Sequence, residues 1–269
     1  MVVTRRTALK TVAAGAGLAT LAASGTQIAH SQARGRTFVL IHGAWHGGWC
    51  WRYVTDLLTA RGHRVYAPSL TGLADRSHLL SNAINLDTHI NDIINLFRWE
   101  DIDNAVLVGH SYGGWPISGA VEKIGDKVAA IVYLDAFLPE NGQRGIDFSS
   151  YQVQTREAIA KGEVGRPVPK VEDFKILDPK NAAWVQTRMT AQPTRLATQP
   201  IVLTGARERI AKKTYIRAPR YPQPTFDAAL AKCKTDPTWK TFELKASESG
   251  HDVMVDAPGR LVEILLQVA

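Results

Sequence analysis

The chain has 269 residues, of which 45% are hydrophobic and 21% charged, with 21 Gly and 13 Pro. That composition suits one globular domain with a buried core and excludes fibrous, low-complexity and repeat architectures. The formal charge of +7 does not build a nucleic-acid face: basic residues are scattered in short pairs such as Lys212-Lys213, and without Arg5, Arg6 and Lys10 at the N-terminal end the charge is about +4.

The first 33 residues read as an address. Thr4-Arg5-Arg6-Thr7-Ala8-Leu9-Lys10 resembles the twin-arginine export signal of bacteria, with Ala8 where Phe is common. The run from Thr11 to Ala29 is rich in Ala and Gly, too small-residued to span a membrane. Ser31-Gln32-Ala33 offers a signal peptidase small residues, with Ala29-His30-Ser31 as the alternative. Residues 1–33 are therefore expected to be a twin-arginine signal peptide, which implies a periplasmic or secreted protein without stable membrane insertion. An export address would permit a disulfide, but Cys50 and Cys233 read as two separate small apolar residues.

After the leader, strands alternate with helices. Thr37–Ile41 is a β-branched apolar run, the mark of a strand buried on both faces. A glycine-bearing loop, His42 to Gly48, follows it. Trp51 to Arg61 has helical spacing through Tyr53, Val54, Leu57 and Leu58 and ends at Gly62. Arg64–Ala67 is a strand stopped by Pro68. Leu86–Phe97 is a helix with Ile90, Ile93, Ile94 and Phe97 on one face. Ala105–Val108 is a strand, Gly113–Lys123 a helix, and Val128–Leu134 a strand. The pattern then breaks: from about Pro139 to Arg209 the chain is polar and punctuated by prolines, with Ile201-Val202-Leu203 as its one strand-like run. This segment reads as an inserted cap. Alternation resumes with a strand at Thr214–Ile216, a helix near Phe226–Lys234, a strand at Thr241–Leu244 and a helix at Pro258–Val268. The fold class is α/β, with a mostly parallel sheet covered on both faces.

Gly109-His110-Ser111-Tyr112-Gly113 has the G-x-S-x-G pattern, with a buried strand before it and a helix after it. A serine on such a turn projects its hydroxyl from the sheet edge, and side chains two positions either side would collide. The helix behind it aims N–H groups at developing negative charge. A serine hydroxyl needs a base, and imidazole has the right pKa. Of the eight histidines only His251 follows Ser111, and it lies in Ser249-Gly250-His251-Asp252, just past a strand.

With these residues in view the chain resembles a bacterial α/β-hydrolase related to the plant methylesterase and hydroxynitrile lyase group. The marks are Phe38 to Trp49, the elbow Gly109 to Gly114, and Gly250-His251. The resemblance covers nearly all of the chain after the leader, residues 34–269, and is weakest in the cap, residues 139–209. It implies a cofactor-free ester hydrolase, with the N–H groups of Ala44 and Tyr112 as the oxyanion hole. The plant enzymes take their acid from the loop that here reads Arg217-Ala218-Pro219-Arg220, which has no carboxylate. The candidate instead is Asp135 in Tyr133-Leu134-Asp135-Ala136-Phe137, at the end of the strand after the elbow helix. Apolar neighbours flank it, so it needs a partner such as a histidine N–H. The rivals are Asp227, Glu208 and Asp252, the last being next to the base in the chain.

The expected chemistry is acyl transfer from a small-molecule ester to water through Ser111, Asp135 and His251, without a metal or organic cofactor. His42 and His46 read as supports of the oxyanion loop rather than a metal pair. Trp45 and Trp115 are expected to line an aromatic pocket suited to small aryl or alkyl esters, with Trp184, Met189, Tyr151 and Phe148 as further lining. Two other functions compete. A lyase of the same group typically has Thr in place of Gly43 and Lys after the histidine, where this chain has Gly43 and Asp252. A hydrolase-fold binding protein with a dead site would not need an intact Ser111 and His251. Whether the chain forms a homodimer is left open by the sequence.

Overall fold

The computed structural model describes residues 35–148 and 152–269. The predicted leader, with its export signal and cleavage site, and Tyr151 lie outside the described residues. The first strand, β1 (Thr37–Ile41), is buried at all but its first residue. A short 3-10 turn and α1 (Arg52–Thr59) lead to β2 (Arg64–Tyr66). Next come α2 (Leu86–Trp99), β3 (Ala105–His110), α3 (Gly114–Ile124) and β4 (Val128–Leu134). Asn85 and Thr88 form a reciprocal capping box that starts α2.

Between β4 and the next long strand lie α4 (Gly145–Phe148), α5 (Gln152–Ala160), a two-stranded antiparallel ribbon of β5 (Gly165–Arg166) and β6 (Gln192–Pro193), α6 (Pro179–Gln186) and α7 (Ala206–Arg209). The chain then returns to the sheet with β7 (Lys212–Arg217), α8 (Pro224–Thr235), β8 (Trp239–Glu243), α9 (Val253–Asp256) and α10 (Pro258–Val268). Ile201-Val202-Leu203 is not a strand. Val202 is 72% exposed, and the segment bonds instead to the turn at 141–143, through Ile201 N–H to Gln143 O and Gly142 N–H to Ile201 O. Hydrophobic content alone misled the reading: the segment's backbone bonds go to a turn and not to a strand.

Among the described residues the main sheet has the order β2-β1-β3-β4-β7-β8, every pair parallel. The chain runs outward from β1 to β2, then restarts on the other side at β3. The crevice at the carboxyl ends of β1 and β3 is thus the switch point where ligands of open α/β sheets bind. Register sets what meets there. Ile41 pairs with Gly109, His110 with Leu134, and Leu134 with Ile216. Residues 43, 111, 135 and 217 therefore leave four adjacent strands at one level. Cys50 and Cys233 are both buried free thiols. Burial raises both pKa values, that of Cys233 to about 12, so both remain protonated apolar fillers.

Candidate active site

Three non-glycine residues at the crevice have left-handed backbones: Trp45 (φ 63°), Ser111 (φ 53°) and Asp135 (φ 43°). Such conformations cost on the order of 1–3 kcal/mol each and persist only where the surroundings impose them. Ser111 is held by the Phe137 N–H to Ser111 O bond at 3.1 Å, and Asp135 by its own N–H to Ile216 O at 2.7 Å. Trp45 is held on both sides, its N–H donating to Gln192 Oε1 at 2.9 Å and its carbonyl accepting from Thr190 N–H at 2.9 Å. The elbow tolerates no side chain at Gly109: a Cβ there would lie 2.7 Å from Gly113 O.

Asp135 is fully buried. Its Oδ2 accepts from His251 Nδ1–H at 2.6 Å. Its Oδ1 accepts from Arg217 Nη1 at 2.6 Å and Ala218 N–H at 2.9 Å. Arg217 is itself buried, and donates further to Asp227 Oδ1, Ala218 O and Tyr221 O. Burial opposes its charge, but Asp135 and Asp227 more than offset this and raise its pKa. Asp135 and His251 thus meet, with a guanidinium behind the carboxylate. The rival carboxylates are engaged elsewhere. Asp227 pairs with Arg217, Glu208 with Arg207, and Asp252 with His46.

His251 is 2% exposed. Its ring stacks on Tyr221 with centroids 4.1 Å apart and packs on His110 at 4.4 Å. Its loop is pinned by His251 N–H to Phe174 O at 2.8 Å and by His110 Nε2–H to His251 O at 3.1 Å. Burial, then the neighbouring His251, drives the His110 pKa well below its usual value, so His110 is a neutral brace.

Ser111 and His251 line one cleft. The Ser111 hydroxyl makes no hydrogen bond among the described residues, a common feature of sites without substrate. Its base contains Gly43, Ala44, His110, Ser111 and Tyr112; its walls are Trp45, Trp115, Phe137, Phe174, Tyr221 and Phe226; Arg166, Gln192 and Gln223 add polar groups. The Ala44 N–H makes no bond to a carbonyl among the described residues. The Tyr112 N–H lies in the first turn after the elbow, where no preceding carbonyl can reach it. The Tyr112 hydroxyl points away, to His89 Nδ1 at 3.0 Å.

The loop that follows β1 is braced by two histidines. His42 Nδ1–H donates to Gly43 O at 2.8 Å, and its Nε2 accepts from Leu70 N–H at 3.0 Å. Burial lowers its pKa to about 3. His46 Nδ1–H donates to Ala44 O at 2.8 Å, and its Nε2 meets Asp252 Oδ2 at 3.0 Å. Burial would lower the His46 pKa and raise that of Asp252, but their mutual attraction wins, raising the first and holding the second at about 2.

Trp45 and Trp115 lie on the cleft wall. Trp184, Met189 and Phe148 are not among the cleft residues. Trp184 packs against Trp49 and Tyr53, Met189 is buried in the core, and Phe148 lines a second cavity. Apolar character alone does not distinguish such packing from facing a ligand. The sequence reading missed Arg217, Gln192, Arg166, Phe174, Tyr221 and Phe226. Arg217 carried a signal: a charge ending the buried run Thr214-Tyr215-Ile216 must have a partner.

A profile of the Alpha/beta hydrolase family matches residues 38–264. The chain belongs to the α/β-hydrolase family. This hydrolase is 35% identical over 240 residues to the carbendazim hydrolyzing esterase of Nocardioides sp. (strain SG-4G), covering 85% of this chain and 97% of that one. It is 37% identical to Methylesterase 2 of Arabidopsis thaliana over 109 residues, 40% of this chain and 41% of the relative. Among solved structures, an extracellular α/β-hydrolase from a Paenibacillus species superposes with a TM-score of 0.73 at 21% identity, over 87% of this chain and 99% of that one; this likeness concerns the fold alone. The esterase and methylesterase names among its relatives support a carboxylic ester hydrolase. No helix among the described residues is long and apolar enough to cross a membrane.

Proposed function

We propose that this hydrolase cleaves small aryl or alkyl carboxylic esters through an acyl-enzyme on Ser111. The observation that carries the reading is the bond of 2.6 Å from His251 Nδ1–H to buried Asp135, made in a cleft that also holds Ser111 at a strained elbow. With Nδ1 protonated and held, Nε2 is the basic nitrogen. His251 takes the Ser111 proton as Oγ attacks the ester carbonyl, and the oxyanion is held by the Ala44 and Tyr112 N–H groups. Collapse expels the alcohol, which leaves with the proton from His251. Water then gives its proton to His251, attacks the acyl carbon and releases the acid, and the proton returns to Ser111.

The aromatic walls favour flat acyl or alcohol groups. Residues 139–209 act in this reading as a cap over the cleft, and the twin-arginine leader as an export address. The lyase reading is weaker, because a Cβ at Gly43 would lie 2.9 Å from His110 Nδ1 and 3.0 Å from Ser111 Cβ, so Thr there would need this loop rebuilt. Hydrolysis of p-nitrophenyl acetate tests the proposal. Wild-type protein turns it over, and Ser111→Ala loses at least about 10³-fold in kcat. An inert wild type would return the protein to the class of binding proteins.

A further inference from the structure

One corner of the cleft is built from residues that take no part in the steps at Ser111. Arg166 and Gln192 are direct cross-strand partners in the β5–β6 ribbon, so their side chains leave the same face of it. Both line the cleft. The Arg166 guanidinium lies 4.9 Å from the Trp45 ring and donates to Thr155 Oγ1 at 3.1 Å.

Gln192 is fully buried. Its Oε1 accepts the Trp45 N–H, and that bond fixes which end of the amide is oxygen and which is NH2. The Nε2 group has no hydrogen-bond partner among the described residues. A buried amide donor without an acceptor is unfavourable, and the bonded Oε1 keeps the side chain from turning to find one. The unmet donor belongs to a side chain on the wall of a cleft that is otherwise largely aromatic. A ligand that brings an acceptor atom into that corner satisfies it; a purely hydrocarbon ring leaves it unmet. Sites built with a fixed donor discriminate strongly against analogues lacking the acceptor.

We propose that Gln192 determines specificity: its Nε2 donates to an acceptor atom carried on the substrate's ring, so heteroaryl esters are favoured over phenyl esters of the same shape. This rests on the esterase reading above. Gln192 has a second duty, since its Oε1 also holds the Trp45 N–H beside the Ala44 oxyanion donor, and the test must separate the two.

Two matched sets of substrates do so: phenyl acetate against the pyridinyl acetates, and methyl benzoate against the methyl pyridinecarboxylates, with every ring-nitrogen position included. For each, kcat/KM is measured with wild type, Gln192→Glu and Gln192→Met. Dividing mutant by wild type removes differences in intrinsic ester reactivity. Gln192→Glu keeps an oxygen for Trp45 N–H while replacing the donor with an acceptor; Gln192→Met removes both. The expected result in Gln192→Glu is a loss for at least one pyridine ester that exceeds the loss of its all-carbon partner by about tenfold or more. In Gln192→Met both esters slow, and the pyridine ester slows more. Equal losses for both members of every pair, or no loss in either variant, would overturn the assignment and leave Gln192 as a prop for Trp45. A wild type inert toward all of these esters would instead overturn the esterase reading, and this inference with it.

Discussion

Replacing Arg217 with Met should both slow the enzyme and destabilise it, because buried Asp135 loses the guanidinium that offsets its charge. In the native site Asp135 has two carboxylate oxygens and three donors: His251 Nδ1–H on one oxygen, Arg217 and the Ala218 N–H on the other. Arg217 and Asp135 are both essentially without solvent contact. Removing one partner of such a pair leaves a buried charge uncompensated, at a cost of about 3–5 kcal/mol. Even at the lower end, about 3 kcal/mol, the strain falls on the group that holds His251 Nδ1–H, and a tenfold loss in rate takes only about 1.4 kcal/mol of transition-state stabilisation. In Arg217→Met, kcat/KM for p-nitrophenyl acetate should therefore fall about tenfold or more. Thermal unfolding should come about 6–12 °C lower in Arg217→Met. Arg217→Lys, which keeps a charge but not the fork, should fall between the two proteins. An Arg217→Met enzyme with wild-type kcat/KM and unfolding temperature would refute the view that this guanidinium supports Asp135.

Two other outcomes bear on the site and its supports. Asp135→Asn should cost about 10³–10⁴-fold in kcat, as expected when the orienting acid is lost, whereas Asp227→Ala and Glu208→Ala should stay within about threefold; steady-state kinetics of the three variants checks the ranking, and the reverse order would reassign the acid. Stability should fall on acidification from pH 7 to 4, because His42 and His89 have folded pKa values of about 3 and about 4, below the unfolded value, so over this range the unfolded chain binds protons that the folded one refuses. The loss should be on the order of 5 kcal/mol, less whatever His46 returns by gaining its proton beside Asp252; a urea midpoint unchanged between pH 7 and 4 would contradict it.

The sheet was legible because buried parallel strands such as Phe38-Val39-Leu40-Ile41 and Val106-Leu107-Val108 are continuous apolar runs. Ser111 and His251 stood out through a short motif and through chain order. Asp135 came into view only through the family resemblance, because the loop directly after β7 carries no carboxylate, and its meeting with His251 depends on the register that levels β3, β4 and β7. What lies behind it was not legible. Arg217 looked like part of an acid-free loop, and nothing local says that its fork reaches across to the end of β4. The ribbon carrying Arg166 and Gln192 has two residues per strand, too short for any periodicity. Trp184 and Phe148 show the converse: bulky apolar side chains in the excursion whose destination is set by which helix they meet.

The pinning of Trp45 by Thr190 and Gln192 bears on how such enzymes can be recombined. A segment tied to Trp45, the residue following Ala44, by one bond from its backbone and one to its Gln192 side chain is not an interchangeable module. Chimaeras that exchange residues 139–209 between relatives should work only when positions 44–46 and 190–192 come from the same parent. Grafts that respect that boundary offer a route to new acyl or alcohol preferences without disturbing Ser111.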